Sequence, residues 1–205
     1  MPVVVVANPK GGVGKTTVAT NIAGLFASQG HQVMLGDADR QQSSRLWLRL
    51  RPAEAPAITS WDVGEEKIAK PPKGTTHVVL DTPAGLHGKW MEQTLRSADK
   101  VIVPLSPSIF DIYATRTFLD ELAQHRKAGR MQVGIVGTRV DHRTIAAEKL
   151  QEFTEGLGLP VLGFLRPTQN YVHLAARGLT LFDLAPGKVE RDLEQWQGIT
   201  RWLDA

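Results

Sequence analysis

The chain has 205 residues, 42% hydrophobic and 22% charged, which is enough for one domain with a substantial core and argues against disorder or a fibre. It contains no cysteine, which excludes disulfide scaffolds, thiolate metal sites, iron–sulfur clusters and cysteine nucleophiles. The formal charge of +3, from 24 Lys or Arg against 21 Asp or Glu, permits an anionic partner without requiring one.

The N-terminus lacks the basic flank and long apolar run of a signal peptide or membrane span, so a cytoplasmic location is expected. Val3 to Ala7 is short, apolar and rich in β-branched residues, as in a central parallel strand buried on both faces. A glycine-rich turn follows, then Val18, Ile22, Leu25 and Phe26 at helical spacing, with Gly30 placed as the C-cap. Apolar runs at 33–36, 77–81, 101–105, 132–138 and 161–165 alternate with helical stretches near 41–50, 88–97, 111–128 and 143–156. This alternation predicts a doubly wound α/β domain over residues 1–205, a mostly parallel sheet flanked by helices. Residues 51–76 carry four prolines and little periodicity, so short elements and loops are expected there. Asp111 is expected to cap a helix with the buried stripe Thr115, Phe118, Leu119 and Leu122, with His125, Arg126 and Lys127 at its negative end before Gly129. In the tail, Val189, Leu193, Trp196, Ile199, Trp202 and Leu203 share one helical face. The other face sets Glu190, Asp192, Glu194 and Asp204 against Lys188, Arg191 and Arg201, without the basic excess that anionic lipid rewards; packing on the domain is expected.

The segment from Lys10 to Thr17, Lys-Gly-Gly-Val-Gly-Lys-Thr-Thr, lies between the first strand and the first helix and reads as a phosphate-binding loop. Gly11, Gly12, Val13 and Gly14 let backbone N–H groups approach phosphate oxygens, and the helix behind them adds its positive end. Lys15 is expected to neutralise the β and γ phosphates, Thr16 to ligate Mg²⁺ through its hydroxyl, and Thr17 to reach the α phosphate, making ATP and Mg²⁺ the expected cofactors. Asp37 and Asp39 follow the second strand at its carboxyl end, where doubly wound sheets place their sites; either could instead cap the helix starting near Gln41. The run His77-Val-Val-Leu-Asp81 has the form of a Walker B strand and puts Asp81 beside the metal. Thr82-Pro83-Ala84-Gly85 then reads as a switch loop.

With a lysine ahead of its first glycine, the loop resembles that of the deviant Walker A ATPases of the ParA/MinD family, and in particular the small ParF-type partition ATPases. That resemblance implies a P-loop NTPase fold and a first lysine, Lys10, that reaches the partner's nucleotide across an ATP-bound homodimer, much as an arginine finger does. Asp37-Ala-Asp-Arg-Gln-Gln-Ser-Ser resembles the family's Asp-x-Asp-Pro-Gln switch with Arg40 in place of the usual proline. It implies that Asp39 orients or activates the attacking water and that Asp37 supports the Mg²⁺ shell. Val103-Pro-Leu-Ser-Pro-Ser-Ile-Phe-Asp111 looks like the family's interface segment. Arg166-Pro-Thr-Gln-Asn-Tyr171 and Ala175 to Asp183 look like the segment that closes over the base, which implies adenine-side contacts from Thr138, Arg139, Pro167 and Thr168.

The resemblance covers nearly the whole chain and implies a weak ATPase stimulated by a ParB-like or cargo-adaptor partner. Such a protein dimerises on ATP, binds nucleoid DNA without sequence preference and positions a plasmid, chromosome region or protein cargo. Between Arg126 and Arg191 there are ten Lys or Arg against six Asp or Glu, so Arg143, Lys149, Arg177, Lys188 and Arg191 are the candidate DNA contacts. The alternatives are a MinD-like ATPase acting at a membrane surface and an ATP-dependent synthetase of small molecules.

Overall fold

The computed structural model describes residues 1–63, 71–125 and 131–205. Among the described residues seven strands, β1 (Val3–Val6), β2 (Val33–Asp37), β3 (Ile58–Trp61), β4 (His77–Asp81), β5 (Lys100–Leu105), β6 (Gln132–Gly137) and β7 (Val161–Phe164), form one all-parallel sheet in the order β3-β2-β4-β1-β5-β6-β7. The helices are α1 (Lys15–Ser28), α2 (Ser43–Leu50), α3 (Gly88–Arg96), α4 (Ile109–His125), α5 (Ile145–Glu155), α6 (Gln169–Ala175) and α7 (Glu190–Asp204), with short 3-10 turns at Leu181–Asp183 and Pro186–Lys188. The doubly wound expectation therefore holds. The chain builds outward from β1 to one edge and later from β5 to the other, so the strand order reverses beside β1, where such sheets open a ligand crevice.

The pleat of β1 explains its apolar run, because both faces are covered. Val4 and Val6 pack in the layer that contains Ile22, Phe26, Trp196 and Ile199, while Val3 and Val5 pack with Met91, Leu95, Phe118 and Leu122. Each such large side chain contributes roughly 1.5–3 kcal/mol by leaving water. The stripe Thr115, Phe118, Leu119 and Leu122 on α4 is buried as expected. Its capping is different: α4 already begins at Ile109, and Asp111 sits in the first turn, where its carboxylate accepts the Ser106 hydroxyl and faces the positive helix end. The expected helix end at Arg126, Lys127 and Gly129 lies outside the described residues.

α7 lies along β7 and buries Val189, Trp196, Ile199 and Leu203 in the core, as its apolar face predicts. One residue of the expected polar face behaves otherwise. Asp192 is fully buried, accepting from the Arg166 guanidinium and the Asn170 amide, so it ties α7 to the segment that follows β7. At the other end of α7 the buried Lys100 ammonium donates to the carbonyls of Trp202 and Leu203 at 2.7 and 2.8 Å, satisfying terminal groups the helix leaves open. Among the described residues no helix is long and apolar enough to cross a membrane.

Candidate nucleotide site

The turn between β1 and α1 is a cradle of backbone. Gly12 and Gly14 adopt φ of +76° and +88°, left-handed conformations that an L side chain resists and glycine permits. Gly14 is also the N-cap of α1 and has no side-chain cap, so the helix dipole points at whatever anion the loop holds. Asn8 fixes the entry: it is fully buried, its amide donates to the Pro104 carbonyl and the Thr115 hydroxyl, and its oxygen accepts the Lys10 N–H. Lys15 is buried and its ammonium donates to the Lys10 carbonyl at 2.7 Å across the loop. Burial pushes its pKa down, while Asp81 and Asp39 pull it back up. Lys10 is half-buried, and its side chain makes no ion pair among the described residues.

The carboxylates converge from two neighbouring strands. Asp37 and Asp81 are register partners at the ends of β2 and β4. Asp81 is almost completely buried, and its Oδ2 accepts both the Thr16 and the Ser44 hydroxyls at 2.7 Å. Its Oδ1 is buried with no partner among the described residues. Burial raises the Asp81 carboxyl to about 7 against the two hydroxyl donors, with Asp37 raising it further and Lys15 lowering it. Asp37 is also held above the carboxylate range by burial, opposed by backbone N–H donors that include Arg45 and Asp39. Neither aspartate is the N-cap of α2, which is Gln42 at φ +51°. Asp37 nonetheless does part of that job from a distance, because its Oδ2 accepts the Arg45 N–H at 3.0 Å in the first turn. Asp39 stands half-buried over the crevice and closes a turn through the Gln41 N–H at 2.9 Å.

A cleft of about 650 Å³ runs from this loop to the segment after β7, lined by Gly11, Gly12, Gly14, Lys15, Thr16, Thr17 and Asp39 at one end and by Thr138, Arg139, Pro167, Thr168 and Tyr171 at the other. Most of the predicted loop residues, Asp39 and the base-side residues thus share one cavity of ligand size, whereas Lys10 and the fully buried Val13 do not line it. At the base side several polar groups are already engaged. The Thr138 hydroxyl donates to the Val13 carbonyl at 2.8 Å, Arg139, in the left-handed region at φ +54°, donates to the Gly12 carbonyl, and the Thr168 hydroxyl caps α6 through the Asn170 N–H. The two residues just after β6 therefore brace the phosphate loop. Ala84 of the expected switch loop also lines the cleft, and the Gly85 N–H donates to the Pro9 carbonyl at 2.8 Å.

An oxygen-seeking cation fits this arrangement. Thr16 gives its proton to Asp81, which leaves the lone pairs of its hydroxyl for a metal, and the unpaired Oδ1 of Asp81 supplies a hard carboxylate oxygen. Asp37 already accepts a backbone N–H on each oxygen, so its share is the field it adds beside Asp81.

The five basic candidates do not gather at this site. Arg143 is paired with Asp141 at 2.7 Å and Lys149 with Glu152 at 2.8 Å. Arg177, Lys188 and Arg191 are exposed and carry no ion pair among the described residues. Sequence reasoning missed three residues that matter here, Ser44, Trp47 and Arg51. The hydroxyl of Ser44 was visible in the switch segment, but only the fold turns it toward Asp81.

A glycine loop between a buried strand and a helix, facing paired aspartates at a strand-order reversal, defines a P-loop nucleotide-binding domain. Residues 4–181 match the family model described as the CobQ/CobB/MinD/ParA nucleotide binding domain, and the chain belongs to that family. It is 30% identical over 188 residues to the maintenance of carboxysome distribution protein A of Halothiobacillus neapolitanus, covering 87% of this chain and 86% of that one. The protein of the same name from Gloeobacter kilaueensis is also 30% identical, over 94% of this chain and 88% of its own length. Among solved structures, the MinD cell division protein of Aquifex aeolicus superimposes with a TM-score of 0.76 at 19% identity, covering 99% of this chain and 96% of that chain, a likeness of fold.

Proposed function

We propose that residues 1–205 act as one ATPase domain of the partition and positioning kind, in which ATP and Mg²⁺ bind the cleft and ATP-driven pairing of two chains controls attachment to a cargo-carrying scaffold. The observation that carries the reading is the single cavity joining Lys15, Thr16 and Asp39 to a base-side wall, with the unpaired oxygen of Asp81 behind Thr16. Mg²⁺, when bound, would be held by Thr16 and Asp81 and would supply charge neutralisation for the phosphates. The residues of the chain do the remainder. Loop amides and Lys15 bind and orient the phosphates, Asp39 holds the proton-accepting position for water, and Lys10 adds a cation from the partner chain. Thr138, Arg139, Pro167 and Thr168 form the base wall.

Support for pairing comes from the start of α4, where Ile109 and Phe110 within the segment read as an interface, and Tyr113 just after it, are 62%, 76% and 71% exposed. Support for positioning comes from the two relatives named for maintenance of carboxysome distribution, and we extend that positioning role to this chain. Attachment to nucleoid DNA in the cytoplasm rests on the basic residues of the C-terminal half, foremost Arg177, Lys188 and Arg191. Arg143 and Lys149 must first leave their acidic partners, which makes them the weaker contacts. A membrane-surface role is disfavoured because the apolar face of α7 is spent in the core.

Calorimetry of ATP binding to the wild type and Lys15→Ala tests the site; equal affinity would remove the phosphate-loop assignment. DNA retention with ATP, with ADP and without nucleotide, across a salt series, tests the scaffold: binding should need ATP and fall steeply with salt. Retention indifferent to nucleotide would leave an ATPase without the DNA switch.

A further inference from the structure

Asp81 is held in an asymmetric way. Two hydroxyls, Thr16 from the phosphate loop and Ser44 from α2, donate to the same oxygen, Oδ2, while Oδ1 receives nothing among the described residues. The two oxygens of a carboxylate are equivalent, so what two donors converging on one of them fix is the orientation of the carboxylate plane, and with it the direction in which the other oxygen faces. Thr16 belongs to the loop and is only partly buried, whereas Ser44 is fully buried and its helix is anchored along its length. At the first turn the Arg45 N–H binds Asp37 Oδ2 at 3.0 Å. Further on, Trp47 Nε1 donates to the Leu179 carbonyl at 3.4 Å, and just past the helix Arg51 donates to the Gly178 carbonyl and to Asp183. Ser43, one residue earlier, is exposed at the cleft, so the position inside the helix turn, and not the hydroxyl as such, selects Ser44.

We infer that Ser44 is a positioning residue: its hydroxyl pins Oδ2 of Asp81 so that Oδ1 remains free for the divalent cation that accompanies the nucleotide. The inference rests on the proposed metal role of Asp81 and adds a residue that neither the loop nor the strand motif contains. It also makes α2 the element that reports to the metal side, because one helix touches Asp37 and Asp81 at its start and the segment after α6 at its end.

The test is the gain in ADP affinity on adding Mg²⁺, obtained by calorimetry with Mg²⁺ and again with a chelator. Ser44→Ala should cut that gain about tenfold, as loss of an outer-shell partner does at metal sites, while ADP affinity in chelator and the melting temperature stay at wild-type values. Ser44→Cys, close in volume with a weak S–H donor, should fall between them and covers the case in which the alanine variant is unstable. Asp81→Asn should abolish the gain. If Asp81→Asn does so but Ser44→Ala and Ser44→Cys keep the full gain, the role of Ser44 is overturned and the Asp81 site stands. If Asp81→Asn keeps the gain, the metal reading and the inference fall together.

Discussion

Arg51 and Asp183 form a buried bidentate ion pair, with Nη2–Oδ1 at 2.8 Å and Nη1–Oδ2 at 3.0 Å and side chains only 5% and 3% exposed. The same guanidinium lies 5.3 Å from the Trp47 ring and donates to the carbonyls of Pro56 and Gly178. Removing one member leaves the other charge buried without its counterpart, which costs about 3–5 kcal/mol. Arg51→Met and Asp183→Asn should each lower stability in urea denaturation on that scale, and the double variant should lose less than the sum. Single losses under about 1 kcal/mol would mean that water replaces the partner.

Asp39→Ala should bind ATP with little change yet turn it over about 100-fold more slowly, since a group that serves proton transfer to water acts chiefly in the transition state. Steady-state turnover beside equilibrium binding separates the two effects. Wild-type turnover would transfer the role to Asp37, whose oxygens accept the Arg45 and Asp39 N–H groups in the free protein.

Lys10→Ala should keep nucleotide affinity and lose ATP-driven association. The side chain of Lys10 makes no ion pair within its own chain among the described residues, whereas its carbonyl and N–H brace Lys15 and Asn8 and survive the change. Light scattering with a slowly hydrolysed ATP analogue reads the outcome; unaltered association would leave Lys10 a surface lysine.

Acid should destabilise the protein through His77. This ring stacks 3.8 Å from His31 and 4.5 Å from Phe26, and burial, then the neighbouring His31, lower its pKa to about 4. With the folded value below the ordinary 6.5, the unfolded chain takes the proton first. The contribution is therefore complete above about 6.5 and is lost as pH falls toward about 4. His77→Gln should flatten the fall in melting temperature across that window relative to wild type; parallel curves would assign the acid sensitivity to carboxylates.

Six of the strands were legible because each is an apolar run set between helical stretches; the edge strand β3, Ile-Thr-Ser-Trp, was not, because its middle residues are exposed and polar. The phosphate loop was legible because its chemistry is contiguous. What stayed hidden depends on contacts between distant segments. Ser44 meets Asp81 across 37 residues, Arg51 meets Asp183 across 132, and Asp192, which reads as a solvent-facing residue of an amphipathic helix, is buried by Arg166 and Asn170. The start of α4 was misplaced for a related reason: Asp111 looks like a cap by residue type, but its carboxylate is occupied by Ser106 inside a turn that has already begun.

The place of β1 in the sheet bears on how the molecule comes into being. Of the seven strands described here β1 is made before the others, yet it pairs with β4 and β5, whose residues follow only at 77–81 and 100–105. Synthesis of about half the chain thus passes before the strand that carries the phosphate loop acquires both neighbours, and such sequence-distant pairing is slow to nucleate. The far end closes later still, since Lys100 awaits the carbonyls of Trp202 and Leu203 before its ammonium is satisfied. A nascent chain halted short of α7 would hold the loop residues but keep a bare apolar sheet face, the kind of surface on which chaperones and wrong partners compete.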